Sequence, residues 1–285
     1  MANIKELESI ASQVRRDIIR QVYLSQSGHP GGSLGCADLF VALYFEMMEH
    51  DTSFNMDGAG EDVFFLSNGH ISPVWYSALA RSGYFPVAEL ATFRKLNSRL
   101  QGHPTTHEHL PGVRVASGSL GQGTSVAAGL ALAKKMNGED KTVYVLAGDG
   151  EQQEGQVWEA ALFAPHHKLD NLVLFIDLNG QQIDGPTSEV MEIGDVGAKY
   201  REFGWQVDTV DGNNMAELVG LLQTIKDRPK DGRPTCVIMK TEMGKGVDYM
   251  EGTHKWHGKA PNEELALKAL EQLEETIGDF PAEGI

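Results

Sequence analysis

Residues 142–185 read TVYVLAGDGEQQEGQVWEAALFAPHHKLDNLVLFIDLNGQQIDG, and the fold is decided there. A β-branched, apolar run over 142–146 stops at Gly148-Asp149-Gly150. An amphipathic helix follows, with Val157, Ala160, Ala161 and Ala164 at helical spacing. A second apolar run over 172–176 ends at Asn179-Gly180-Gln181. Two such runs around a helix predict a βαβ unit with parallel strands. Both polar tips then lie at the carboxyl edge of the sheet, where open α/β sheets bind ligands. Asp149 brings a carboxylate to that edge and Asn179 an amide oxygen. The backbone carbonyl of Gln181 can add a third oxygen. Three protein oxygens leave Mg²⁺, or a looser Ca²⁺, open to phosphate oxygens and water. Gly148 and Gly150 suit such a ligand, because a Cβ would obstruct close approach of backbone to phosphate, and helix N-terminal N–H groups favour an anion. The plainer reading of GDG alone is a βα turn capped by Asp149. Asn179 after the next strand makes the combination far more specific.

Composition narrows the rest. The chain has 285 residues, 41% of them hydrophobic, enough for a substantial core. Its formal net charge of −16 argues against general nucleic-acid binding, which needs a basic footprint. A locally positive phosphate site remains compatible with it. No apolar run is long enough to span a bilayer. The N-terminus is amphipathic and acidic, and lacks the apolar core of a signal peptide. Cys36 and Cys236 are far apart in sequence and form no metal-ligand pattern, which fits a reducing cytoplasm. The acidic residues near the C-terminus, Glu263, Glu264, Glu271, Glu274 and Glu275, read as a solvated helix face.

Along the chain, helical periodicity is expected over 4–26, 34–49, 72–82, 87–96, 123–136, 195–203, 215–226 and 263–276. Strands are expected over 63–66, 205–210 and 235–240, beside the two already named. Residues 100–120, rich in Gly, Pro and His, read as a long loop, and loops of that length are often functional. Five strands alternating with helices predict an α/β fold, a doubly wound, mainly parallel sheet covered on both faces. With no linker or repeat in view, residues 1–285 are expected to form a single domain.

Four histidines sit beside Gly or Pro in loops: His29 in SGHPGGSLG, His70 in FLSNGH, His103 in GHP and His257 in WHGKAP. A lone histidine is usually structural, but four in such settings read as site candidates that hydrogen-bond oxygens or move a proton. Lys259 is as well explained by a solvent-facing lysine. No role is apparent for His107, His109, His166 or His167.

These motifs, with SGSLGQG, GDGEQQEG and DLNGQQIDG, follow one another from Ser27 to Pro261 in an order that resembles transketolase. The GDG…N pair is similar to the signature of thiamin diphosphate enzymes at large. The resemblance implies a metal held by Asp149, Asn179 and Gln181 that grips the cofactor's diphosphate. It implies cofactor contacts from His70, Gly118, Leu120, Gly148, Gly150 and His257. For Leu120, simple core packing weighs as much. His29, His70, His103 and His257 would act on substrate oxygens, with His254 the weaker choice for the last role. Glu154 and Glu159 would lie at a subunit contact, although two exposed helix carboxylates would look the same in sequence. The activity implied is transfer of a two-carbon ketol unit from a ketose phosphate to an aldose, in the pentose phosphate pathway or a specialised sugar pathway.

Full transketolases are more than twice as long and carry a pyrimidine-binding and a C-terminal domain beyond this one. The chain is therefore expected to be the N-terminal subunit of a split transketolase, partnered by a C-terminal subunit in a heterotetramer. A terminal helix followed by Glu-Gly-Ile suggests a natural end rather than a cloned fragment. Two alternatives stand beside this. One is half of an enzyme like 1-deoxyxylulose-5-phosphate synthase, against which SGHPGGSLG and WHGKAP argue. The other is a non-catalytic, cofactor-binding regulatory subunit, against which the intact ligand set argues. A nicotinamide-dependent dehydrogenase is not indicated, since no G-x-G-x-x-G opens a first strand–helix turn.

Overall fold

A computed structural model describes residues 3–282. Glu283, Gly284 and Ile285, on which the natural-end reading rests, lie outside the described residues, as do Met1 and Ala2. Seven strands run in chain order as β1 (Val63–Leu66), β2 (Val143–Gly148), β3 (Leu172–Leu178), β4 (Gln181–Gln182), β5 (Gly185–Pro186), β6 (Gln206–Asp211) and β7 (Thr235–Lys240). Five of them form one sheet in the order β1-β2-β3-β7-β6, with every neighbouring pair parallel. β4 and β5 make a small antiparallel hairpin that the sequence reading did not anticipate.

Alternation along the strands separates two cores. Phe64, Leu66, Tyr144, Leu146, Val173, Phe175, Val237 and Met239 face one layer. Val63, Phe65, Val143, Val145, Leu172, Leu174, Ile176 and Ile238 face the other. Burial on both sides is why these strands read as continuous apolar runs. The first layer holds α1 (Ile4–Ser25), α2 (Pro30–Gly35), α3 (Ala37–Ala42) and α4 (Ser72–Arg81). The second holds α5 (Gln122–Met136) and α6 (Gly155–His166). After the hairpin come α7 (Thr187–Val190) and α8 (Val196–Glu202), the latter against the second layer. α9 (Met215–Asp227) and α10 (Glu263–Gln272) close the first.

α1 shows how sequence makes an element. Asn3 caps its start by accepting from the Glu6 N–H, and Leu7, Ala11, Val14, Ile18 and Val22 form the buried stripe. The single helix expected over 34–49 is instead α2, α3 and a π-helical turn at Leu43–Met47. The break falls at a close contact. A Cβ at Gly35 would sit 2.8 Å from the Glu242 backbone oxygen, so the end of α2 lies flush against the loop that follows β7. The helix expected over 87–96 is a 3-10 segment, Val87–Thr92, and the terminal helix stops at Gln272.

Phe175 is fully buried at the centre of the sheet, beside Tyr144 at a ring separation of 6.2 Å. Phe175→Ala should destabilise the fold by about 3–5 kcal/mol, the usual loss for emptying a core aromatic site. Urea denaturation measures this; a loss under about 0.5 kcal/mol, typical of surface positions, would contradict the assignment of this core.

Candidate active site at the carboxyl edge of the sheet

Parallel strands deliver their C-terminal loops to one edge. Gly148 pairs in register with Asp177, and Asp177 with Met239, so the tips of β2, β3 and β7 lie side by side. The Asn68 to His70 turn after β1 joins them. Together they line a cleft of about 340 Å³.

Asp149 is 2% exposed and ties two of these loops together. Its Oδ1 accepts from the Gly150 N–H at 2.7 Å, and its Oδ2 accepts from the Gly180 N–H at 2.6 Å. Asn179 Oδ1 accepts from the Gln181 N–H at 2.9 Å. Asp149, Asn179 and Gln181 all line the cleft, as the sequence led one to expect of a metal cradle. Burial pushes the Asp149 carboxyl up to about 7, and the nearby Asp177 adds to the rise. A cation between these loops would favour the ionised form instead.

The residues present fit a diphosphate and its metal. Among the described residues no three His, Cys, Asp or Glu side chains converge on a metal site. A cradle of one carboxylate, one amide oxygen and one carbonyl differs from such clusters and suits a hard cation that takes further oxygens from its ligand. Gly148 has no protein atom nearer than 3.9 Å to where a Cβ would stand, so packing does not require glycine there, whereas a bound ligand would. Buried Asn68 Oδ1, His29 Nδ1 and His257 Nδ1 have no hydrogen-bond partner, and their side chains line the same cleft. One detail differs from expectation. A 3-10 turn, Gly150–Gln153, separates the GDG loop from α6, which starts at Gly155 with Glu154 at its cap. The Gly150 N–H, in that turn, is engaged by Asp149.

The four loop histidines meet across the cleft from that cradle. His29 lies 5.1 Å from His70, 5.7 Å from His257 and 6.3 Å from His103, ring centre to ring centre. His70 and His257 are 5.0 Å apart. They come from residues separated by more than two hundred positions, and only the fold assembles them. His103 is the most exposed of the four and stands at the rim. Gly118 explains its place: with φ +116° and a would-be Cβ 2.7 Å from His103 Cδ2, only glycine lets the 118–121 turn pass behind that ring. His257 lines the cleft and His254 lies outside it. Lys259 is exposed, over the face of Trp256. Leu120 is half-buried and lines the cleft rather than either core. Glu154 is exposed at the cleft margin. Glu159 is exposed on the outer side of α6, in a shallow groove with Ala128, Gly129 and Phe163.

Several residues of the site were missed in sequence. Glu151 is buried and draws three loops together, accepting from Ser67 Oγ, from the Gly121 N–H at 2.7 Å and from the Gly148 N–H at 3.0 Å. Gln182 accepts from Gln153 Nε2 at 2.8 Å and so joins the hairpin to the GDG turn. Ile183 is 61% exposed at the hairpin tip and lines the cleft. Asp177 was legible in principle, since period two puts residues 177 and 179 on one face of the strand end.

The family model for "Transketolase, thiamine diphosphate binding domain" matches residues 7–279. This chain belongs to the transketolase family. It is similar to a 6-deoxy-6-sulfo-D-fructose transketolase subunit of a Clostridium species, 38% identical over 94% of this chain and 96% of that one. It is also similar to an apulose-4-phosphate transketolase subunit of Actinobacillus succinogenes, 36% identical over 95% of this chain and 96% of that one. The crystal structure of transketolase from Campylobacter jejuni superposes with a TM-score of 0.90 at 34% identity, covering 98% of this chain but 44% of that one. The chain is thus the N-terminal, thiamin diphosphate-binding half of a transketolase. Neither the deoxyxylulose-phosphate synthase reading nor the regulatory-subunit reading is favoured by these relatives.

The imidazoles carry a pH signature. Burial lowers His29 to about 4, with repulsion from His257, Arg94 and His103 adding to it. Burial also lowers His70, His103 and His257, with further repulsion from His257, Arg94 and His254 respectively. The unfolded chain therefore takes up protons below pH ~6.5 that the folded chain refuses. The cluster's contribution to stability is complete above that pH and is lost as pH drops toward ~4, while the raised Asp149 carboxyl acts in the opposite sense. His29→Asn with His70→Asn should flatten this slope in urea titrations between those limits. An unchanged slope would show that the cluster is not neutral in the folded state.

Proposed function

We propose that this chain is the diphosphate-binding subunit of a two-chain transketolase, moving a two-carbon ketol unit from a ketose phosphate to an aldose acceptor. The observation that carries this reading is the meeting, in one cleft, of the Asp149–Asn179 cradle and the imidazoles of His29, His70 and His257, with His103 beside His29 at the rim. Asp149, Asn179 and the carbonyl of Gln181 would hold Mg²⁺, or Ca²⁺, against the diphosphate. Gly148 and Gly150 leave room for it, and Gly118, Leu120, His70 and His257 bound the pocket for the rest of the cofactor. Thiamin diphosphate, when bound, supplies the electron sink for breaking the bond beside a ketose carbonyl.

The histidines work on oxygens. A neutral imidazole offers one donor and one acceptor. His29, lowered to about 4, stays neutral at physiological pH and donates a hydrogen bond without adding charge. Its neighbours His70 and His257 can hand a proton to or from a substrate hydroxyl. His103, at the rim, meets the far part of the sugar. Single Asn substitutions at these four positions should lower turnover and leave Tm within a few degrees. Loss of folding instead would make them structural.

The relatives at similar length are subunits by name, and the solved relative is more than twice this length. That supports a C-terminal partner carrying the pyrimidine-binding half, with Glu154 and Glu159 at the dimer contact through which the chain self-associates and a two-fold heterotetramer as the assembly. Residues 1–285 then act as one domain, in the cytoplasm, where the two buried thiols, Cys36 and Cys236, stay reduced. Among the described residues no helix is long and apolar enough to cross a membrane. The sugar is either a pentose phosphate or one of a specialised pathway, as the relatives' names illustrate.

Two measurements test this reading. Asp149→Ala should weaken Mg²⁺-dependent thiamin diphosphate binding about tenfold or more, as loss of even an outer partner of a metal does; unchanged affinity by calorimetry would sink the metal assignment. Ketol transfer should require both halves. Full turnover by this chain alone, with no partner detectable by mass spectrometry, would refute the two-chain reading.

A further inference from the structure

Asp177 is 2% exposed at the last turn of β3, behind the cradle, and takes no part in the roles above. Its Oδ2 accepts from Asn179 Nδ2 at 2.7 Å, and its Oδ1 accepts from the Thr241 hydroxyl. The buried Cys36 thiol, from the first-layer helices, also favours the charged form of this carboxylate. Groups from the β3 end, the β7 end and the first layer thus converge on one carboxylate.

We infer that Asp177 is the positioning residue that orients the Asn179 amide, turning its oxygen toward the metal cradle. The inference rests on the metal-cradle reading given above. The two ends of an amide have nearly the same shape, and only their hydrogen-bond partners decide which faces the cleft. A carboxylate oxygen can receive only the NH₂ end. With Nδ2 held by Asp177, Oδ1 is left on the open side, where it takes the Gln181 N–H at 2.9 Å and keeps a second lone pair. Released, the amide could present its NH₂ to a cation and repel it. Thr241 in turn sits just after β7, so the ends of β3 and β7 share in fixing one ligand atom.

The test compares Mg²⁺-dependent thiamin diphosphate binding, by calorimetry on the chain together with its pyrimidine-binding half, in two backgrounds. With Asn179 present, Asp177→Ala should weaken binding about 10–100-fold, the usual cost of removing an outer partner of a metal ligand. With Asn179→Asp present, residue 179 has two equivalent oxygens and no end to choose. There Asp177→Ala should cost less than about threefold, or improve binding by relieving repulsion between like charges. An equal loss in both backgrounds would make Asp177 merely structural and overturn the inference. So would full affinity in Asp177→Ala while Asp149→Ala loses it. If Asp149→Ala itself loses nothing, the cradle reading fails first and takes this one with it. Should Asp177→Ala not fold, Asp177→Asn decides: its carbonyl keeps the acceptor, so binding within about threefold of the parent supports orientation. A tenfold loss there shows that charge, not orientation, is what Asp177 supplies.

Discussion

The candidate site depends on the shared direction of five strands. Because every pair in the sheet is parallel, every strand ends at the same edge, and residues far apart in sequence have to meet there. Helices on both faces make this possible, since parallel strands need long crossovers and leave no face for water. The carboxyl edge is then a place where backbone and polar side chains emerge from between two apolar layers. Asn68, Asp149, Asn179 and Met243 reach the cleft for this reason alone, each standing just after a different strand.

That edge gathers charge under conditions that disfavour it. Asp149, Glu151 and Asp177 are all nearly inaccessible, and burial raises all three above ordinary carboxylates. Hydrogen bonds oppose the rise. Glu151 accepts from three donors on separate loops, and Asp177 from Asn179 and Thr241. Asp149 has two backbone donors and a like-charged neighbour, and stays raised to about 7. Glu151 and Asp177 tie neighbouring loops together through these bonds, while Asp149, with backbone donors alone and Asp177 beside it, is the carboxylate that a positive partner would relieve.

Much of this was legible in the chain. Where an element's own residues account for its burial, as in β3 or α1, periodicity and caps suffice. The GDG…N spacing located the cradle because a βα turn and the next strand end are local features brought together by a local βαβ unit. What failed to show were constraints from distant partners. The break in the 34–49 helix falls where Gly35 lies against the Glu242 backbone, roughly two hundred residues on. The 3-10 turn after Gly150 follows from Glu151 binding Ser67 and Gly121. Asp177 looked like the end of an apolar run because its partners, Cys36 and Thr241, lie on other elements.

The histidines show the two kinds of information joining. Each was conspicuous beside Gly or Pro, but a loop histidine says nothing of its neighbours. His29 stands 5.1–6.3 Å from the other three, and repulsion within the cluster lowers His29 and His70 on top of burial. A cluster of charged imidazoles would also repel the cation that Asp149 calls for. A neutral cluster does not, and it keeps its donors and acceptors available for hydroxyl groups. The acidic cradle and the uncharged imidazole wall are thus electrostatically compatible because burial keeps the imidazoles neutral. That burial comes from the fold that brings the loops together, so the fold sets the chemistry available at the edge as well as the positions of the residues.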